Sequence, residues 1–450
     1  MFFLKLTVTD VSCYVMITFV KGDSVPEGGK AAKGERLEQS PPEARHTMKS
    51  WDGPKMEVNA VTKTKPRTKE RKPRKLLKRL VLLMMVFAVA KVSGSGSTHI
   101  TYAETAQEDA PMVQRKGRTV MYIMDAHNLK LRDADTANLD QLNYSFALIK
   151  DGKADGSHWL GLKKVQSFLK KHPHVDGVLS VGGWGTDGFS DACLTEEGRR
   201  TLADSLLMLM DDCGFVGIDV DWEYPGVSGT GIVSREEDVE NWYALLALLR
   251  EGLDAREALH GRDYYLSVAL GAGENHLRVI DPARLGALLD QAVVMAYDLS
   301  GFDRITGHHA GLYANQKKPN TGAHAVQTLV DGGFPAEKIL LGMPAYGRVW
   351  RQVSGGGDGL DQRANTSGNK TISFDELLRL EKSGYTRYYD EKAQAAWWFD
   401  GSTFVSGEDD RSITAKGAWI VDNGLLGAAV WQYIQDEEGA MLAMLDASLR

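Results

Sequence analysis

The chain has 450 residues, 43% hydrophobic and 25% charged, an ordinary globular composition with ample material for a core. Its net charge of -7 is uneven: residues 1–116 hold 21 Lys+Arg against 12 Asp+Glu, whereas residues 117–450 hold 32 against 48. The acidity of the larger part argues against a nucleic-acid partner and suits a neutral substrate.

In chain order, Phe2–Val20 is apolar but carries Lys5 and Asp10, which makes it a poor membrane span. Residues 21–75 are polar, rich in Lys, Glu and Pro, and expected to be disordered. Lys63–Arg79 holds ten basic residues and one acid, and the apolar run Leu80–Ala90 follows at once. Eleven residues are too few to cross a bilayer as a helix, which takes about 20. A basic flank, a short apolar core and an Ala88-x-Ala90 end describe a secretory signal peptide. The expected protein is therefore extracellular and meets a membrane only transiently, through this segment. The distance from Met1 leaves two explanations. Translation starts downstream, at Met48 or Met56, or the leader is genuine and the run is a buried helix; the poor packing potential of residues 1–75 favours the first. Residues 91–116 read as a polar linker, with the folded part beginning near Gly117.

From there strands and helices alternate. Strands are predicted over 119–125, 142–149, 177–181, 217–223, 264–270, 292–297, 339–346 and 427–433. Amphipathic helices are predicted over 161–171, 196–212, 236–259, 282–289, 321–332 and 413–423. Cys193 and Cys213 flank the second of these helices, about 25 Å apart at 1.5 Å per residue, so they are not expected to bridge. With Cys13 the only other cysteine, this is not a disulfide framework. Eight strands, each leaving room for a helix, predict an eight-stranded parallel βα barrel. An open doubly wound sheet is the runner-up, disfavoured because no dinucleotide glycine fingerprint opens it. Residues 348–412 break the rhythm. They contain a Gly-rich turn, a helix over 374–382 and three strand-like segments, and predict a small α+β insertion on the active-site face.

The chemistry concentrates in Gly217–Glu223. As a strand it places Asp219, Asp221 and Glu223 on one face and Val220 and Trp222 on the other. Three acids on one buried face repel one another and lose hydration, so at least one pKa must rise. A Ca2+ loop would be more polar and flexible, and a Mg2+-phosphate site would bring a lysine-bearing loop. A protonated carboxyl with a second carboxyl behind it suits general acid catalysis on a glycosidic bond, with Glu223 as donor. Ser180-Val181-Gly182-Gly183-Trp184 ends the third strand; its paired glycines predict a close backbone approach, its Ser180 a hydrogen bond to Asp219, and its Trp184 a stacking surface. Met295-Ala296-Tyr297-Asp298 ends the sixth strand, and Trp431 stands in the eighth, near the barrel mouth.

These four pieces together resemble glycoside hydrolase family 18, the chitinases, over residues 117–450. The family's Asp-x-x-Asp-x-Asp-x-Glu signature looks like Val216 to Glu223, with Val216 replacing its first Asp. Ser-x-Gly-Gly and Met-x-Tyr-Asp match Ser180–Gly183 and Met295–Asp298. Tyr346–Arg348 and Phe404–Ile413 look like the borders of an insertion found in one branch. The resemblance implies a TIM barrel and a retaining, substrate-assisted reaction on β-1,4-linked N-acetylglucosamine chains, without metal or organic cofactor, in a monomeric protein. It casts Glu223 as acid, Asp221 as partner of the substrate's acetamide, Asp219 as proton-sharing neighbour and Tyr297 as donor to the acetamide oxygen. Tyr122 and Ser180 would hold Asp219, and Trp431 would floor the cleaved sugar. Gly183, Trp184, Tyr224, Met295, Asp298, Tyr346 and Arg348 are the remaining expected substrate contacts. The alternatives are a non-catalytic sugar-binding protein on the same barrel and an enzyme trimming N-glycans or peptidoglycan. Asn365-Thr366-Ser367 and Asn369-Lys370-Thr371 match the N-glycosylation pattern.

Overall fold

The computed structural model describes residues 117–228, 231–315 and 320–450. The leader, the signal-like run and the linker expected over 1–116 lie outside these residues. In chain order the strands of four residues or more are β1 (Arg118–Met124), β2 (Gln141–Lys150), β3 (Asp176–Gly182), β4 (Gly217–Asp221), β5 (Tyr265–Gly271), β6 (Gln291–Met295) and β7 (Ile339–Pro344). They continue with β8 (Tyr346–Trp350), β9 (Lys370–Ser373), β10 (Thr386–Asp390), β11 (Ala395–Phe399), β12 (Phe404–Gly407) and β13 (Gly427–Trp431).

Strands β1 to β7 and β13 pair in parallel, each with its neighbour, and β1 pairs with both β2 and β13. The sheet therefore closes on itself as an eight-stranded TIM barrel, and the open-sheet alternative falls. Around it run α1 (Leu162–Lys171), α2 (Glu196–Cys213), α3 (Asp238–His260), α4 (Pro282–Leu288), α5 (Gly322–Asp331), α6 (Asp410–Asp422) and α7 (Ala440–Ser448). Helix starts are chemically marked: Thr195, Asp281, Thr321 and Asp409 each accept a backbone N–H of the first turn. The main core lies between strands and helices, where outward residues such as Ile218 and Val220 pack against helix residues such as Leu206 and Leu246. Cys193 and Cys213 are free and buried.

A second sheet is antiparallel, in the order β9-β8-β12-β11-β10. It has its own core of Trp350, Trp397, Phe399 and Phe404.

Three local expectations need correction. The fourth strand stops at Asp221, so Glu223 stands beyond it rather than on it. The seventh breaks at Ala345: Pro344 has no N–H to continue a ladder, and Tyr346 to Trp350 pair with the second sheet instead. The predicted helix over 374–382 is a single capped turn, Phe374–Leu377, followed by a tighter turn that ends at left-handed Gly384.

Helix α6 is tied down by a buried ion pair. Lys416 bonds the Glu408 carboxylate and donates to the Ala310 carbonyl at 2.5 Å, while Ser412 donates to Glu408 at 2.6 Å. The two charged side chains are 3% and 1% exposed. Removing one partner strands the other charge without solvent, at a cost of about 3–5 kcal/mol. Lys416→Met should therefore lower the free energy of unfolding from urea titration by that much, with a correspondingly lower midpoint, and Lys416→Met with Glu408→Leu should recover most of the loss. Equal midpoints for wild type and the single variant would contradict this.

Candidate active site

The C-terminal ends of the barrel strands carry the reactive side chains. Asp219 is 0% exposed inside the barrel. The register sets Ser180 of β3 on one side of it and Ser267 of β5 on the other. Ser267 donates to Oδ1 at 2.6 Å; Ser180 and Tyr122 donate to Oδ2 at 2.7 and 3.0 Å. Burial raises the Asp219 carboxyl above the usual carboxylate range, and these three hydroxyl donors pull it back.

One strand-turn up, Asp221 is nearly as buried, and its Oδ1 makes no hydrogen bond. Burial, then the charges of Glu223 and Asp219, hold its carboxyl well above the ordinary range. Glu223 stands on the wall of a cleft. Burial pushes it up to about 7, the Tyr224 hydroxyl opposes that rise, and the charge of Asp298 adds to it. The Asp221–Glu223 pair thus retains a proton near neutrality, shared between two interacting sites.

The paired glycines at the end of β3 answer to close approach. The Gly183 N–H donates to the Asp221 carbonyl at 2.9 Å. A Cβ on Gly182 would fall 2.0 Å from that same oxygen, and one on Gly183 would fall 2.5 Å from the Phe146 ring.

Beyond β6, Tyr297 keeps its proton, because burial and the Asp221 and Glu223 charges raise its hydroxyl well above normal. Asp298 adopts a left-handed backbone (φ 59°). Its carboxylate accepts from the Tyr346 hydroxyl and from Arg348 Nε, both at 2.6 Å, and His309 Nδ1 lies 3.6 Å away. Burial alone would raise Asp298, but His309 and Arg348 outweigh it and hold the carboxyl well below the usual range. Asp298 is therefore a fixed negative charge facing Glu223.

Aromatic rings shape the rest. Trp431 stacks on Phe146 (centroids 5.5 Å, 21°) and tilts against Tyr122 (5.8 Å, 54°). Trp184 and Phe302 are two-thirds exposed, and the Arg348 guanidinium sits 4.7 Å over the Phe302 ring. The resulting cleft is about 680 Å³, the size of a small-ligand site.

Of the expected residues, Asp221, Glu223, Tyr224, Tyr297, Asp298 and Trp431 line this cleft, as do Trp184, Met295, Tyr346 and Arg348. Asp219, Tyr122, Ser180 and Gly183 do not; the first three sit together beneath it and Gly183 beside Phe146. Sequence reasoning missed Phe146, Ser267, His276, Phe302 and His309. Period-two alternation along the predicted fifth strand was signal enough for Ser267. Phe302 and His309 lie on loops, His276 on a one-turn helix, and Phe146 within β2 where its pairing with β3 shifts register, so no pattern marks them. Among the described residues no group of three His, Cys, Asp or Glu is placed to hold a metal ion. The arrangement can deliver a proton to a ligand stacked on Trp431.

Comparison with known proteins agrees with the resemblance. The profile of the family described as glycosyl hydrolases family 18 matches residues 118–436. Chitinase A1 of Niallia circulans is 32% identical over 64% of this chain and 44% of its own length. Chitinase 1 of Aphanocladium album is 33% identical over 62% and 66%. This chain therefore spans between about half and two-thirds of these relatives. The solved structure of a family 18 N-acetylglucosaminidase from Paenibacillus barengoltzii superposes with a TM-score of 0.71 at 32% identity, covering 74% of this chain and 99% of that one.

Carboxyl-resolved NMR should find one carboxyl titrating near pH 7 that disappears in Glu223→Gln. Because the Glu223 charge helps raise Asp221, the same variant should move the Asp221 midpoint downward. No carboxyl midpoint above pH 5 in the wild type would contradict both statements.

Proposed function

The chain belongs to glycosyl hydrolase family 18, and from that premise we propose that it is a chitinase acting on β-1,4-linked N-acetylglucosamine chains with retention of configuration. The observation that carries this reading is Glu223, raised to about 7 on the cleft wall, with buried Asp221 behind it. Tyr122, Ser180 and Ser267 anchor Asp219 below.

In this reading the Glu223 carboxyl gives its proton to the glycosidic oxygen as the bond from the anomeric carbon to that oxygen breaks. The substrate's acetamide oxygen forms the new bond to the anomeric carbon, giving an oxazolinium ion. The buried, unpartnered Oδ1 of Asp221 supplies an acceptor for the acetamide N–H, and the protonated Tyr297 hydroxyl a donor for the acetamide oxygen. Water then attacks the anomeric carbon as its bond to the acetamide oxygen breaks, regenerating the acetamide, and loses its proton to the Glu223 carboxylate, restoring the acid. Trp431, backed by Phe146, offers the flat apolar floor against which the cleaved sugar packs. Asp298, Tyr346, Arg348, Trp184, Tyr224 and Met295 supply further contacts, and Val216 replaces an acid that lies outside this machinery.

Retention of Glu223 favours catalysis over mere sugar binding. Glu223→Gln should cut turnover of N-acetylglucosamine oligosaccharides at least ~100-fold, the usual general-acid contribution, while binding persists. Deacetylated and glucose-only chains should not be cut; equal rates on deacetylated chains would remove the acetamide from the mechanism.

The raised acid also fixes the sign of the pH dependence. A group that must carry a proton loses activity as pH rises through its pKa, so kcat/KM should fall about tenfold per pH unit above pH 7. A flat profile from pH 5 to 10 would contradict the assignment.

Export is read from the sequence of residues 63–90 alone. Amino-terminal sequencing of protein recovered from the medium should find a start shortly after Ala90, and a start near Met1 would overturn that reading.

A further inference from the structure

The general acid is followed at once by Tyr224, and something must fix that ring. Two groups from outside β4 converge on it. His276, on the short helix Glu274–Leu277 after β5, stacks face to face on Tyr224 with ring centroids 3.8 Å apart and planes 19° from parallel. Gly271, the last residue of β5, closes the third side. A Cβ there would lie 2.4 Å from His276 Nδ1 and 2.8 Å from Tyr224 Cε1. The stack therefore fits only against a glycine.

The arrangement bears on the acid. Tyr224 lines the same cleft as Glu223, and its hydroxyl opposes the rise of the Glu223 carboxyl. Glu223 is also faced by Asp221 from β4 and by Tyr297 and Asp298 beyond β6. Among these, only the Tyr224 ring is held by a stack. His276 Nδ1 is buried without a hydrogen bond, so the ring is not oriented through that nitrogen. Burial also lowers its pKa, which disfavours the charged form. What it offers Tyr224 is a flat face.

We infer that His276 is a positioning residue for the reaction: by stacking on Tyr224 in the space that Gly271 leaves open, it holds the Tyr224 hydroxyl against the Glu223 carboxyl. It touches no reacting atom. Its contribution passes through Tyr224 to the geometry of proton delivery, so it acts on kcat more than on KM. The inference rests on Glu223 as the general acid for its kinetic expression only.

The test uses the full chain and three variants, His276→Ala, His276→Phe and Gly271→Ala, with thermal midpoints recorded to confirm folding. On an N-acetylglucosamine oligosaccharide, His276→Ala should lose at least tenfold in kcat with KM within about threefold. His276→Phe keeps a flat ring and should recover to within about threefold of wild type. Gly271→Ala forces the stack apart and should lose kcat like His276→Ala. In parallel, carboxyl NMR without substrate should show the Glu223 midpoint rising by about half a unit or more in His276→Ala, and returning in His276→Phe. Loss without recovery by Phe, or an unchanged Glu223 midpoint in His276→Ala, overturns the inference. Inactive wild type toward the oligosaccharide would instead count against the chitinase reading, and the NMR titration would still decide the role of His276.

Discussion

Everything in this site depends on the barrel interior tolerating carboxylates stripped of water. Burying a charge is expensive unless it is paired or hydrogen-bonded. The barrel solves this unequally along one column. Asp219, deepest, receives three hydroxyl donors from three different strands. Asp221 has no such support, and Glu223 sits between an opposing tyrosine hydroxyl and a repelling aspartate. The gradient from anchored to unsupported acid keeps the retained proton on the Asp221–Glu223 pair, at the cleft end of the column.

The parallel closed sheet makes this gradient possible. In a barrel, alternate residues of every strand share one interior, so Ser180 and Ser267 meet Asp219 by register alone. Strand ends then supply the less regular parts: glycines where backbones nearly touch, and a left-handed Asp298 carrying an ion pair to Arg348. Regular structure fixes the depth of the acids, and the loops set what surrounds the outermost one.

Much of this is legible in the sequence alone. Alternation of acids with Val220 and Trp222 revealed which face each belonged to, and the paired glycines of Gly182–Gly183 foretold a tight approach. Strand periodicity located all eight barrel strands, because buried parallel strands are short apolar runs bounded by turns. What escaped had a common physical cause. Glu223 falls past its strand because the chain turns away after Asp221, and a two-residue pattern cannot register where pairing ceases. Tyr346 and Arg348 belong to the second sheet because the ladder stops near Pro344, a tertiary choice of partner. Phe146, His276 and His309 are set by contacts between residues distant in sequence, and α7 by packing of the final turn against β1 and α6. Such contacts leave no periodic trace.

Asp298 has a double allegiance. It rises from the barrel, yet its carboxylate is gripped by Tyr346 and Arg348, the opening residues of the antiparallel sheet. The smaller sheet is thus wired into the electrostatics of Glu223 as well as walling its cleft. Grafting a corresponding module from a relative, even one of matching shape, would retune acidity at the site, so substrate reach and pH response in this architecture are inherited together.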